Sequence, residues 1–142
     1  MQIQRIQSVF LLLAFALMVV FIFVPFGFLT LTEGATQVLV DLKAVSMVGV
    51  LLPAGIGAVL YLLDIFLFNN LKLQKTVLIF AIMMTVVTAG IVCYVNFDHA
   101  TQGTLHWGGG GLLLVAVLIA AFMANGAIRR DEKLLRSYDR LR

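Results

Sequence analysis

Asp64 is the one ionisable side chain deep inside a long apolar stretch of this 142-residue chain, so it is the first candidate for chemistry. A carboxylate at membrane depth is typical of proton and cation pathways. Asp64 lies close enough to the end of its stretch to reach Lys72 or a C-terminal arginine. The other polar groups at depth form no chain of acids or histidines: Thr85, Thr88 and Asn125. We therefore expect Asp64 to form a structural ion pair near the membrane surface, with transport as the alternative use.

The other residues that could carry chemistry are scattered. His99 and His106 accompany Asp98 in one polar segment and could bind zinc, but their separation of seven residues matches no paired-ligand pattern. A membrane-embedded haem would need histidines inside the apolar stretches, where there are none. Ser8 and Ser46 have no histidine partner at similar depth. We predict that the protein is not an enzyme and that it has no catalytic residue, cofactor or metal.

The C-terminal segment 128–142 is the most organised polar part of the chain. Glu132 and Arg136 have the i, i+4 spacing and order that stabilise a helix. The apolar residues fall on one helical face: Leu134, Leu135, Tyr138 and Leu141. The sequence predicts a basic amphipathic tail that lies on the membrane surface, enters a groove on a partner, or simply anchors the last helix.

Composition indicates what surrounds these residues. Hydrophobic residues make up 62% of the chain and charged residues 12%, and mean hydropathy is +1.07. A chain of this size cannot bury so many apolar side chains in a single core, so lipid must cover the rest. The formal net charge of +3 lies entirely in residues 129–142. In a membrane protein the location of the charges matters more than their sum, and we expect no nucleic-acid partner. Cys93 is the only cysteine, so no disulfide can form within the chain.

Four apolar stretches are each long enough to cross a bilayer as a helix: 8–31, 44–68, 76–96 and 108–127. The prediction is an all-α membrane protein, with a four-helix transmembrane bundle over 1–127 and the amphipathic tail over 128–142. Gly49, Pro53 and Gly57 place small residues at a spacing of four in the second span and predict a packing seam. The glycines 108–111 indicate a frayed helix start or the close approach of another backbone.

Lys and Arg are distributed unequally between the two ends of the predicted bundle. Lys43 stands alone at one end, and nine basic residues lie at the other: Arg5, Lys72, Lys75, Arg129, Arg130, Lys133, Arg136, Arg140 and Arg142. Because the positive flanks of spans face the cytoplasm, both termini are predicted to be cytoplasmic. Trp107 and Tyr94 fall where an aromatic belt is expected at the opposite surface.

Three segments carry a resemblance to a known family. They are residues 3–9 (IQRIQSV), 71–74 (LKLQ) and 128–142 (IRRDEKLLRSYDRLR). These segments resemble a family of small four-span inner-membrane proteins of Bacteroidota that is described only as a domain of unknown function. The resemblance implies a bacterial cytoplasmic (inner) membrane location and the four-span architecture, and it implies no reaction.

We expect a non-enzymatic accessory or assembly subunit that docks another membrane protein complex through its cytoplasmic face, or that forms a homo-oligomer, in contact with the lipid bilayer. The alternative is a small oligomeric transporter or channel that uses Asp64. The candidate contact residues are Arg5, Lys72, Gln74, Arg129, Arg130, Asp131, Glu132, Lys133, Arg136, Asp139 and Arg140.

Overall fold

The computed structural model describes residues 3–101 and 103–141, with the side chains of 6–32, 34–101 and 103–141. The helices are α1 (Ile3–Phe23), α2 (Val48–Phe66), α3 (Leu71–Ala100) and α4 (Gly110–Arg140), and the strands are β1 (Gly27–Glu33), β2 (Thr36–Leu42) and β3 (Thr104–Trp107). A short 3₁₀ helix, Ala44–Ser46, precedes α2. All four helices are long and apolar enough to cross a membrane, so the predicted four-span helical architecture is confirmed.

The helices pack as an up-and-down bundle in which α1 lies beside α2 and α4, and α3 lies beside α2 and α4. The start of α1, the α2–α3 turn and the end of α4 therefore lie together, at what we call the terminal end of the bundle. The three strands connect the helices at the opposite end, which we call the sheet end.

Buried residues follow a repeat of three and four along every helix. Among the described side chains they are Gln7, Leu11, Ala14, Met18 and Phe21 in α1, and Gly110, Leu114, Val117, Ala121, Ala124, Ile128 and Asp131 in α4, where Ala120 beside the stripe is also buried. This heptad spacing keeps one stripe of each helix turned toward its neighbours, as in coiled-coil-like bundles. Most large side chains outside the stripes are exposed on the helix surfaces, where lipid would cover them.

The helix bounds differ from the predicted spans. The first span, expected to reach residue 31, ends at Phe23 because Pro25 lacks an N–H and disfavours helical backbone in the residue before it. Helix α3 begins earlier than expected, at Leu71, where the Asn70 side chain caps it by accepting a bond from the Leu73 N–H at 3.3 Å. Helix α4 runs without a break through the predicted tail.

A three-stranded antiparallel sheet, which was not predicted, lies at the sheet end in the order β2-β1-β3. Gly27 is paired with Leu42 on one side and with Trp107 on the other. Leu29 and Leu42 share a face and are buried, while the opposite face carries threonines and His106. Gly34 takes a φ of +66° in the tight turn between β1 and β2, which a glycine adopts without strain.

The glycine run 108–111 brings two backbones together, which confirms the second of the two predicted alternatives. The Gly108 N–H donates to the Phe26 carbonyl at 2.9 Å, and the Gly110 N–H donates to the Pro25 carbonyl at 3.1 Å. A Cβ on Gly108 would lie 2.5 Å from the Pro25 oxygen, and a Cβ on Gly110 would lie 2.9 Å from the Phe26 Cα. The start of α4 is therefore fixed against the end of α1.

The predicted small-residue seam of α2 is only partly present. Gly57 packs against Met18 of α1 and Met84 of α3, but a Cβ on Gly49 would meet nothing within 4 Å. The buried stripe of α2 instead includes Val50 and Ala54, one position along from Gly49 and Pro53, because the heptad repeat sets the contact face.

Candidate functional site

Each helix places a polar residue at the terminal end of its buried stripe. Among the side chains that the structure describes, Gln7 and Gln74 are the first buried residues of α1 and α3, and Asp64 and Asp131 are the last buried residues of α2 and α4. The helices run in alternate directions, so all four side chains lie at the terminal end. We call this set the polar core residues.

The polar core residues have few partners within the described part of the chain. Gln74 Nε2 donates to the Asp64 backbone carbonyl at 3.4 Å. Six buried side-chain atoms of the polar core residues have no hydrogen-bond partner among the described residues. One is a nitrogen, Gln7 Nε2, and five are oxygens: Gln74 Oε1 and both carboxylate oxygens of Asp64 and of Asp131. Acceptors outnumber donors in this set, so each carboxylate can accept a hydrogen bond from water or bind a proton or a small cation.

Three predictions need correction at this point. Asp64 is fully buried, and the expected ion pair with Lys72 or a C-terminal arginine does not form among the described residues. Gln74 and Asp131 were expected on the docking surface, but they are 1% and 6% exposed. The heptad repeat explains all three positions, because it turns these residues toward the neighbouring helices rather than toward the surface.

A buried hydrogen bond crosses from α2 to α3 one turn above Asp64. The Tyr61 and Thr85 hydroxyls lie 2.9 Å apart, and Thr85 Oγ1 also lies 2.9 Å from the Ala81 carbonyl oxygen. Since the Thr85 hydroxyl donates to that carbonyl, the Tyr61 hydroxyl is the donor of the bond between helices. Tyr61 was not among the predicted site residues, although it lies seven residues after Ala54 and three before Asp64, a spacing that places it on the buried stripe of α2.

The charged surface of the terminal end is organised around Glu132. Its Oε1 pairs with Arg136 Nη2 at 2.8 Å, which confirms the predicted i, i+4 contact, and its Oε2 pairs with Lys75 Nζ of α3 at 3.5 Å. The exposed candidate contacts are Lys72, Arg129, Arg130, Lys133, Arg136, Asp139 and Arg140. Arg5 lies in α1, and its side chain is outside the described part of the structure.

The histidine segment at the sheet end is divided between two elements. His99 lies on α3, and His106 lies on β3. Among the described residues, no group of three His, Cys, Asp or Glu side chains is placed to hold a metal ion. Cys93 is exposed and lines a cleft between α3 and α4 with Trp107 and the glycines at the start of α4.

Comparison with known families matches residues 3–141 to the model described as domain of unknown function (DUF4293). The chain belongs to this family. The match covers the four helices, the sheet and the tail, so it confirms the resemblance predicted from the chain's ends and inner turn. No curated protein matches the chain. The functional evidence for this DUF4293 protein is therefore the geometry of its terminal end.

Proposed function

We propose that this DUF4293 protein is a non-enzymatic accessory or assembly subunit that docks another membrane protein complex through the terminal end of its bundle. The proposed membrane is the bacterial cytoplasmic (inner) membrane, and this end faces the cytoplasm; the orientation is supported by the basic residues, because eight of the nine that the structure describes lie here.

The observation that carries the proposal is the projection of α4 beyond the bundle. Asp131 is the last buried residue of α4, and residues 133–141 are all exposed. The helix continues for about 14 Å past Asp131 at 1.5 Å per residue. Leu135 and Tyr138 continue the heptad stripe of α4 into this projection. The stripe packs against the neighbouring helices up to Asp131, but Leu135 and Tyr138 are exposed.

The chemistry of the projection favours a protein over lipid alone as its partner. An apolar face of Leu134, Leu135, Tyr138 and Leu141 is suited to a groove on another protein. Asp139 lies among the basic residues of the projection, and an acidic side chain weakens binding to an anionic lipid surface.

Affinity purification in mild detergent tests the proposal. The full chain is compared with the Leu135→Ser, Tyr138→Ser double variant, and the matched control is the Leu39→Ser, Tyr94→Ser double variant, which makes the same two changes at exposed positions outside the terminal end. We expect the apolar-face variant to lose the co-purified complex by about tenfold and the control to retain it.

Two results would refute this function. One is that the wild-type protein runs alone. The other is that removal of residues 129–142 changes only its insertion into the membrane.

The second candidate function is a small oligomeric transporter or channel, and the burial of Asp64 favours it. Neither carboxylate oxygen has a hydrogen-bond partner among the described residues, and the Tyr61–Thr85 bond places hydroxyl groups further into the same α2–α3 interface. A buried ionisable group that faces a bundle interior is typical of ion pathways.

Flux measurements in proteoliposomes separate the two functions. A transporter predicts proton or cation flux that is lost in Asp64→Asn and retained in Asp139→Asn, which removes the same charge from an exposed site. Absence of flux with the wild-type protein, together with unchanged physiology in Asp64→Asn, eliminates transport.

A further inference from the structure

A second surface at the terminal end is distinct from the apolar face of α4. Lys75 of α3 and Arg129, Lys133 and Arg136 of α4 line a shallow cleft of about 510 Å³. We call this cleft the basic notch. Glu132 also lines it and is the one carboxylate there.

The ion pairs of Glu132 fix the shape of the basic notch. By pairing with Lys75 at 3.5 Å and Arg136 at 2.8 Å, Glu132 ties α3 to α4 and holds two of the four cations in place. Among the described residues, no carboxylate lies within ion-pair distance of Arg129 or Lys133. The Arg129 and Lys133 side chains are therefore available to bind an anion, beside two cations that Glu132 already holds.

The depth of the notch matches that of lipid headgroups. Arg129 lies about 28 Å along the axis of α4 from Gly110, and the hydrocarbon core of a bilayer is about 30 Å thick. If α4 crosses the membrane from its first turn, Arg129 lies where the hydrocarbon ends and the phosphates begin. Arg129, Lys133 and Arg136 repeat at four and three residues, so they form one stripe on α4.

This stripe points away from the face used in the proposed function. At 100° per residue, Arg129, Lys133 and Arg136 cluster on one side of α4, and Leu134 and Tyr138 lie on the opposite side. The two surfaces can therefore be altered independently.

We propose that the basic notch is a binding site for the phosphate headgroup of an anionic phospholipid. Basic pockets between transmembrane helices bind such headgroups, and guanidinium groups bind phosphate oxygens in a bidentate manner. The inference does not depend on the accessory function, because it rests on Lys75, Arg129 and Lys133 rather than on the apolar face.

Arg129 and Arg130 provide a matched pair of variants. Both are exposed on α4 and both carry one positive charge, but Arg130 lines a different cleft, between α1 and α4, with Ile6 and Asp131. General attraction of basic residues to an anionic surface would affect both variants equally, whereas a positioned site depends on Arg129 alone.

The test measures lipid binding to the purified full chain by native mass spectrometry, with phosphatidylglycerol as the probe and phosphatidylcholine as the zwitterionic control. We expect Arg129→Gln to weaken phosphatidylglycerol binding about fivefold, and Arg130→Gln to leave it unchanged. Lys133→Gln should behave like Arg129→Gln. Thermal unfolding without added lipid checks that the exposed substitutions leave the fold intact.

Three results would overturn the site. Equal losses in the Arg129 and Arg130 variants would show diffuse attraction. Competition by inorganic phosphate at the concentration of the lipid would identify free phosphate as the ligand. Loss of a co-purified protein in Arg129→Gln with unchanged lipid binding would make the notch a protein contact. None of these results decides the affinity purification with the Leu135→Ser, Tyr138→Ser variant, so the docking function is tested separately.

Discussion

In the run 108–111, neighbouring backbone leaves no room for a Cβ at Gly108 and Gly110 but leaves open space at Gly109 and Gly111. Single substitutions can measure this contrast. A Cβ on Gly110 would lie 2.9 Å from the Phe26 Cα, whereas a Cβ on Gly111 would meet nothing within 4 Å. We expect Gly110→Ala to lower the free energy of unfolding by about 1–3 kcal/mol, as overpacking does. Gly111→Ala should be neutral or stabilising by up to about 1 kcal/mol. Chemical unfolding in detergent micelles checks both, and equal effects would contradict the packing.

Tyr61 offers a second prediction at the level of single residues. Its hydroxyl donates to Thr85 inside the bundle, while the Thr85 hydroxyl keeps its own bond to the Ala81 carbonyl. Tyr61→Phe should therefore cost about 0.5–1.5 kcal/mol of stability, the usual value for one hydrogen bond. Tyr94→Phe is the control, since Tyr94 is 72% exposed. A loss in the Tyr94 variant as large as that in the Tyr61 variant would rule out the buried bond as the cause.

At the scale of elements, the small residues in the α4 stripe set how closely the helices pack. Ala124 is fully buried, whereas Ala127 is half-buried beside the cleft between α1 and α4. Ala124→Leu should destabilise the bundle by about 1–3 kcal/mol because the neighbouring helices must move apart. Ala127→Leu should cost less, since the cleft can accept the longer side chain. Thermal unfolding of the two variants provides the comparison, and the reverse order would contradict the heptad assignment.

The sequence predicts the helices better than the elements that connect them. Length and hydropathy are sufficient to identify four spans, because a lipid-exposed backbone has to satisfy its own hydrogen bonds. They do not distinguish the end of α1 from β1, since both are apolar, and only Pro25 and the alternation of leucine and threonine after Gly27 mark the change. The burial of Asp64 and Gln74 follows from the repeat of three and four residues along α2 and α3, which hydropathy alone does not distinguish within a span that is apolar on every face.

At the scale of the whole molecule, the two ends of the bundle are chemically different. The sheet end is held by backbone contacts, with Gly108 and Gly110 against Pro25 and Phe26. In the part that the structure describes, the terminal end combines buried polar groups, the ion-paired Glu132 and an exposed projection of α4. Both proposed partners, a membrane protein and an anionic lipid, would therefore meet the same end on opposite faces of α4.

The side of the membrane on which this end lies can be tested with single cysteines. In a Cys93→Ser background, Ala35→Cys places a thiol in the turn between β1 and β2, and Ser137→Cys places one on the exposed projection of α4. Because eight of the nine basic residues that the structure describes lie at the terminal end, we expect a membrane-impermeant maleimide to label Ala35→Cys in intact cells. Ser137→Cys should be labelled only after permeabilisation. The opposite pattern would place the tail outside the cytoplasm, where it could not reach a cytoplasmic surface of a membrane complex, and the docking proposal would have to be abandoned together with the orientation.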